Sequence, residues 1–254
     1  MDYLSVEEAR EAPGLRLVLT AGVPGPWSES AKAIFAHKGI SFLPVFQEGG
    51  GANEALLEWT GQTSAPVAVL DDQPPVSHWL DLLHLAERMA PEQALIPEDP
   101  AGRSEVLGLS ALISGVDGIG WNRRVQILDP MVRLEEVPEP MARIAGKYAC
   151  TPEALPVATR RLVIACAYLD SVLQCQEAAG SPYFVGDSVS AVDLYWASFS
   201  AMFKPLPQEV NPMPDYLRSS YASANEETMA GFTDRLEAHR DHMFTNHIAL
   251  PLDF

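Results

Sequence analysis

The apolar positions of this chain keep one rhythm at the start and another after residue 102. Residues 15–19 (LRLVL) are a short aliphatic run, the pattern of a buried strand. Residues 20–27 (TAGVPGPW) are dense in glycine and proline and read as a loop. From Ser28 onward, Ala31, Ile34 and Phe35 recur at helical spacing, and Gly39 suits the end of that helix. Residues 40–46 (ISFLPVF) form a second strand. Pro44 has no amide to give a central ladder, so this strand belongs at a sheet edge. Residues 53–59 (NEALLEW) make a short helix with Asn53 at its N-cap. Residues 67–70 (VAVL) are a strand behind Pro66, residues 71–73 a turn, and Pro75-Val76 a brief fourth strand. Residues 79–89 form a helix, with Leu82, Leu83 and Leu85 apolar and His84 and Glu87 polar. Near the start, Ser5 and Glu8 have capping-box spacing for a short leading helix.

Residues 90–102 (APEQALIPEDPAG) hold three prolines and interrupt this alternation. Beyond them strand-like runs stop, and helical periodicity covers residues 103–128, 152–179, 191–203 and 233–246. A change from mixed to all-helical across a proline-rich stretch marks a domain boundary. The predicted division is an N-terminal extension (1–14), an α/β domain (15–90), a linker (91–102) and an all-helical domain (103–254).

Composition narrows the function. With 47% hydrophobic and 20% charged residues in 254, the chain is globular rather than disordered. Its net charge of −17 repels phosphate backbones and anionic bilayers, which argues against nucleic-acid and membrane partners. No apolar run is long enough to span a membrane, and the acidic first 14 residues lack the features of a signal peptide. Cys150, Cys166 and Cys175 form no CxxC pair. That fits a cytoplasmic protein with neither a disulfide framework nor a zinc site.

Two local signatures carry a resemblance. Residues 183–194 (YFVGDSVSAVDL) place Gly186-Asp187 ahead of Ser190 and Asp193, whose spacing is that of a capping box; Val189 and Leu194 suit a hydrophobic staple. Residues 63–70 (TSAPVAVL) place a proline at the opening of a strand, where a cis bond is expected. Together with the α/β-then-helical order, these segments resemble the glutathione S-transferase superfamily. The last residues, 239–254, are similar to those of a divergent bacterial branch of it. The resemblance implies a thioredoxin-like α/β N-terminal domain plus an all-α C-terminal domain. It also implies glutathione as cosubstrate, a hydrophobic or aromatic electrophile as second substrate, and a homodimer.

The family's catalytic Tyr, Ser or Cys after the first strand aligns here with Gly25. Thr20 and Ser28 are the hydroxyls nearest that role, with Ser30 farther along. Pro26 suits the first helical position, and the amides of Trp27 and Ser28 are suited to hold an anion. By the resemblance, Ala65 and Pro66 seat the cysteinyl part of glutathione. The family's Glu-Ser pair, which holds the γ-glutamyl end, is replaced by His78-Trp79 or, one residue earlier, by Ser77-His78. In either alignment the acid is missing.

In the helical half, Trp121 and Arg124 match the second-substrate pocket. Arg123 and Arg124 suit an anionic ligand and Trp121 an apolar wall; the competing reading is surface ion pairs and a core tryptophan. Consecutive positions point to different helix faces, so one arginine at most reaches the pocket. His239, His242 and His247 have metal-like spacing. No carboxylate or cysteine sits at a telling spacing beside them, so they read as a solvated helix face and no metal is expected. Cys166, Trp59 and Trp196 read as core.

Overall fold

The computed structural model describes residues 1–254, which divide into two compact units: residues 1–93 with 252–254, and residues 94–251.

The first unit is built on β1 (Leu15–Thr20), β2 (Leu43–Gln47) and β3 (Val67–Leu70), in the order β2-β1-β3. β1 runs parallel to β2 and antiparallel to β3, with Val18 opposite both Val45 and Val67. The aliphatic run of β1 occupies the centre, where both faces are covered and its residues 15–19 are all buried. The buried Arg16 in that run is partly satisfied: its terminal nitrogens donate to the Gly14 and Asp71 carbonyls at 3.2 and 2.8 Å and its guanidinium lies over the Trp59 ring, while Nε has no partner. Pro44 sits on the edge strand, as its missing amide requires.

Beyond that edge lies the segment expected to be a mere extension. Leu4 bridges Val45, donating to the Pro44 carbonyl and accepting from the Phe46 amide, both at 2.9 Å. Helix α1 (Val6–Glu11) follows, closed by the Ser5–Glu8 capping box. Its buried Ala9 joins Val18, Val45, Leu56 and Val67 in one core cluster. Residues 1–14 therefore belong to the first unit. The expected fourth strand is a single bridge, Val76 to Ala68.

Helix α2 (Pro26–His37) starts at Pro26, two residues before the periodicity suggested, because proline is preorganised for the first turn. Helix α3 (Glu54–Thr60) has Asn53 at its N-cap, but in a left-handed conformation (φ 50°), so its side chain does not cap the helix. It turns back instead to the carbonyls of Glu48, Gly51 and Thr63, each at 3.0 Å. Helix α4 (Trp79–Met89) buries Leu82, Leu83, Leu85 and Ala86. His78, not Ser77, is its N-cap, without a capping side-chain bond.

Lys38, at the end of α2, has a fully buried side chain that donates to Glu87 of α4 at 2.7 Å and to the Gln93 carbonyl at 2.6 Å. Truncation of such a charge strands its partners. Lys38→Met is expected to lower stability by about 2 kcal/mol, because Glu87 is near enough to water to be rehydrated. Urea titration of the two proteins checks this; an unchanged midpoint would contradict the role assigned to Lys38.

The second unit is all helical: α5 (Pro100–Ser114), α6 (Ile119–Val132), α7 (Glu139–Lys147), α8 (Ala154–Ala178), α9 (Ala191–Ser200), α10 (Asp215–Tyr221), α11 (Glu226–Gly231) and α12 (Asp234–Asn246). α5 begins inside the stretch read as a linker, because Asp99 caps it by accepting from the Gly102 amide at 2.8 Å. The single helix expected over 103–128 is two. Between them Asp117 is left-handed (φ 61°), and a side chain at Gly115 or Gly118 would stand 2.6 Å from a carbonyl of the preceding turns. Helices α7, α10 and α11 escaped the sequence reading, and α9 ends at Ser200 rather than 203. α9 is buried along its whole length; its Ser198 and Ser200 hydroxyls are satisfied within the helix by the Leu194 and Ala197 carbonyls at 2.8 and 2.7 Å. α8 lays Ala158, Leu162, Ala165, Cys166, Leu169 and Leu173 inward at helical spacing.

Candidate functional site

The sheet of the first unit gathers the candidate residues at one end. β1 ends at Thr20, and the chain turns through Gly22 (φ 71°) and a tight bend in which the Gly25 amide donates to the Val23 carbonyl at 2.7 Å. Gly25 is the N-cap of α2 and has no side chain to cap it. Pro26 fills the first position, so the first-turn amides that follow are those of Trp27 and Ser28. The Glu29 amide already donates to the Gly25 carbonyl at 2.9 Å.

The pairing of β1 with β3 stops at Val18–Val67. Continuing this antiparallel register brings Ala65 and Pro66 opposite the last residues of β1. The Ala65–Pro66 peptide is cis, as expected from the sequence. On the other side of β3, Val76 pairs with Ala68 through bonds of 2.8 and 2.9 Å. The same register extended sets Ser77 and His78 opposite Val67 and Pro66. Thr20, the start of α2, the cis peptide and the start of α4 therefore converge where the first strand ends. That is the usual position of a ligand crevice in an open α/β sheet.

The side chains differ in what they present. Ser28 is only 4% exposed. The Thr20 hydroxyl donates to Gln47 Oε1 at 2.7 Å. The Ser30 hydroxyl donates to the Trp27 carbonyl at 3.0 Å. His78 is exposed and its ring lies 5.4 Å from that of half-buried Trp79; Ser77 is half-buried. Glu29 is buried and held by Lys32 through bonds of 2.9 and 3.1 Å, and burial raises its carboxyl above the ordinary range.

Gln47, which sequence reasoning missed, and Asn53, which it read only as a helix cap, hold this end together. The Gln47 amide donates to the carbonyls of Glu48 at 2.6 Å and Thr63 at 3.1 Å while its oxygen accepts from Thr20. Asn53 grips the 48–51 turn and Thr63 from the opposite side. Both fix the approach to the cis peptide. The Gly-Gly-Gly-Ala run before Asn53 was the available signal: such a turn needs a side chain to hold it.

In the second unit, Trp121, Arg123 and Arg124 lie on α6, the second helix of this unit rather than the first. Arg123 is fully buried, donating to the Met202 carbonyl at 2.7 and 2.9 Å and to the Tyr221 carbonyl at 3.2 Å. Arg124 is half-buried, lies over the Tyr221 ring and donates to the Tyr221 hydroxyl at 3.4 Å. Trp121 meets Tyr148 edge-on at 5.0 Å and is half-buried. Neither surface ion pairs nor a core tryptophan describes this cluster.

His239 is not on a solvated face. It is buried, with Nε2 2.9 Å from Asp193 and its ring 4.5 Å from Phe184. His242 and His247 face each other and Tyr183. The expected capping box of α9 is present and holds more than a helix end. The Asp193 carboxylate accepts from the Ser190 amide and hydroxyl and from the Phe184 amide at 2.7–2.9 Å.

A parallel/antiparallel sheet with a cis-proline at the opening of β3, joined to an all-helical unit with a buried Ser–Asp cap, is the glutathione S-transferase fold. Solved structures bear this out. A glutathione S-transferase from Methylobacterium radiotolerans, in complex with glutathione sulfonate, is similar with a TM-score of 0.62 at 15% identity, over 94% of this chain and 97% of that one. The Tau class glutathione S-transferase of mango gives 0.55 at 15% identity, over 90% and 96%. A maleylacetoacetate isomerase from Methylobacterium extorquens, with bound malonate and glutathione, gives 0.53 at 18% identity, over 89% and 95%. No family model and no curated protein matches the sequence. No helix is long and apolar enough to cross a membrane.

Proposed function

We propose that this chain is a glutathione-S-transferase-like enzyme that binds glutathione, or a related thiol, at the end of β1 and joins its sulfur to a hydrophobic or aromatic electrophile. The observation that carries this reading is the convergence of the α2 start, the cis Ala65–Pro66 peptide and the Ser77–His78 segment at one sheet end. In this scheme the Ala65 backbone pairs with the cysteinyl part in the manner of an added strand. The Trp27 and Ser28 amides stabilise the thiolate, with the Ser28 or Thr20 hydroxyl assisting. Pro26 sets the first turn, and Ser77, His78 and Trp79 hold the glutamyl end. Trp121 and Arg124 line the second-substrate pocket. The protein works in the cytoplasm as a homodimer.

A non-catalytic ligand-binding module on the same fold is the second reading. It is favoured by Gly25 in the catalytic position and by the burial of Ser28.

Thermal unfolding with glutathione and with S-hexylglutathione tests the first reading. A ligand at ten times its dissociation constant adds about 1.4 kcal/mol, a rise of roughly 3–5 °C for a chain of this size. No rise with either ligand would overturn the thiol site. A rise without conjugation of 1-chloro-2,4-dinitrobenzene would select the second reading, and His78→Ala is expected to halve the shift or more.

A further inference from the structure

Some arginines of the second unit pair with a carboxylate; others, such as Arg123 and Arg218, bond carbonyl and amide oxygens. Arg133, Arg143, Arg161, Arg235 and Arg240 each meet a carboxylate at 2.6–2.8 Å. Arg124 has none, although the chain carries twice as many acidic as basic side chains. Its polar neighbours are phenols: Tyr221, which it also overlies at 5.7 Å, and Tyr148. A second cation, the exposed Lys147, stands over the Tyr148 ring at 5.8 Å, near enough to Arg124 to feel its charge. Trp121 closes the group by its edge contact with Tyr148.

Neutral phenols offer a guanidinium dipoles, not charge. Burial raises the Tyr148 hydroxyl above its ordinary range, so it stays protonated at neutral pH. Arg124 is then held against aromatic rings without a carboxylate, and the exposed Lys147 adds a second positive charge at the rim. This is costly in a partly dry site unless an anion completes it. The helix accounts for the arrangement. Consecutive residues on α6 point about 100° apart, so Arg123 turns inward to main-chain carbonyls while Arg124 turns to the aromatic face.

We propose that Arg124, framed by Trp121, Tyr148, Tyr221 and Lys147, is the subsite for the carboxylate of an aromatic carboxylic acid, so that the second substrate is an anionic electrophile. The guanidinium fork receives the carboxylate, Lys147 adds a second positive charge, and Trp121 lies against the apolar body. This inference rests on the reading of Trp121 and Arg124 as the second-substrate pocket, but its test uses no thiol, so failure of the glutathione site leaves it standing.

The test is calorimetric titration of the protein, without glutathione, with 2-naphthoate and with its neutral counterpart 2-naphthamide. The acid is expected to bind at least tenfold tighter, with the difference shrinking as salt is raised. Arg124→Gln removes the preference without changing amide affinity, and Arg124→Lys restores part of it. Arg143→Gln, an exposed pair with Glu139 on α7, leaves the preference intact. Equal affinity for the two ligands in the unaltered protein, no binding of either at millimolar concentration, or a preference that survives Arg124→Gln would each overturn the proposal. The first two comparisons need no variant and stand even if a substitution prevents folding.

Discussion

Replacing Asp193 with alanine is expected to lower the stability of the second unit by about 4 kcal/mol, the largest loss available from one side chain here. The carboxylate is fully buried and accepts from the amides of Phe184 and Ser190, the Ser190 hydroxyl and His239. Alanine leaves all four donors in place with no water to replace their acceptor. His239 suffers twice, since its Nδ1 already lacks a partner. The start of α9 also loses its cap, a contribution of about 1 kcal/mol by itself. Asp193→Asn keeps the shape and part of the bonding and is expected to lose about half as much. Urea unfolding followed by far-ultraviolet circular dichroism measures the loss. Hydrogen exchange at the Phe184 and Ser190 amides should quicken in parallel. A loss below about 1 kcal/mol would show that the buried donors find other acceptors.

The second large effect is expected at Arg123. Arg123→Met should cost about 3 kcal/mol, despite similar length and greater hydrophobicity. The guanidinium bridges α6 to the carbonyls of Met202 and Tyr221, and it also donates to Gln126. Gln126 in turn donates to Thr159 of α8 and Thr228 of α11 at 2.9 and 2.8 Å, so the network joins four helices, α6, α8, α10 and α11. Lysine keeps the charge but not the planar fork, and Arg123→Lys is expected to recover less than half of the loss. Urea midpoints and a double-mutant cycle with Gln126→Leu measure it. Additive effects in that cycle would mean the two side chains act independently.

The parts of the fold that were legible along the chain are those whose cause is local. The aliphatic run of β1, the proline on the β2 edge, Pro26 at the first turn of α2 and the Ser190–Asp193 cap each act through neighbours within a few residues. α7, α10 and α11 were not legible, being short helices whose formation depends on docking more than on their own periodicity. The break between α5 and α6 was signalled by Gly115 and Gly118 but outweighed by a continuous helical rhythm across them. Asn53 was placed correctly and given the wrong bonds, because a left-handed cap releases its side chain to acceptors elsewhere.

At the candidate site the division is the same. The sequence by itself determined the α/β-then-helical order, the cis-proline position, the capping box and the replacement of the family's Glu-Ser pair by Ser77-His78 or His78-Trp79. Only the tertiary structure decided that Ser28 is buried, that Thr20 is engaged by Gln47, that His239 serves Asp193 rather than solvent, and which of two adjacent arginines goes inward. Helical spacing tells that Arg123 and Arg124 face different ways. Which face meets the Met202 and Tyr221 carbonyls, 79 and 98 residues away, depends on how distant helices dock, and no local pattern carries that information.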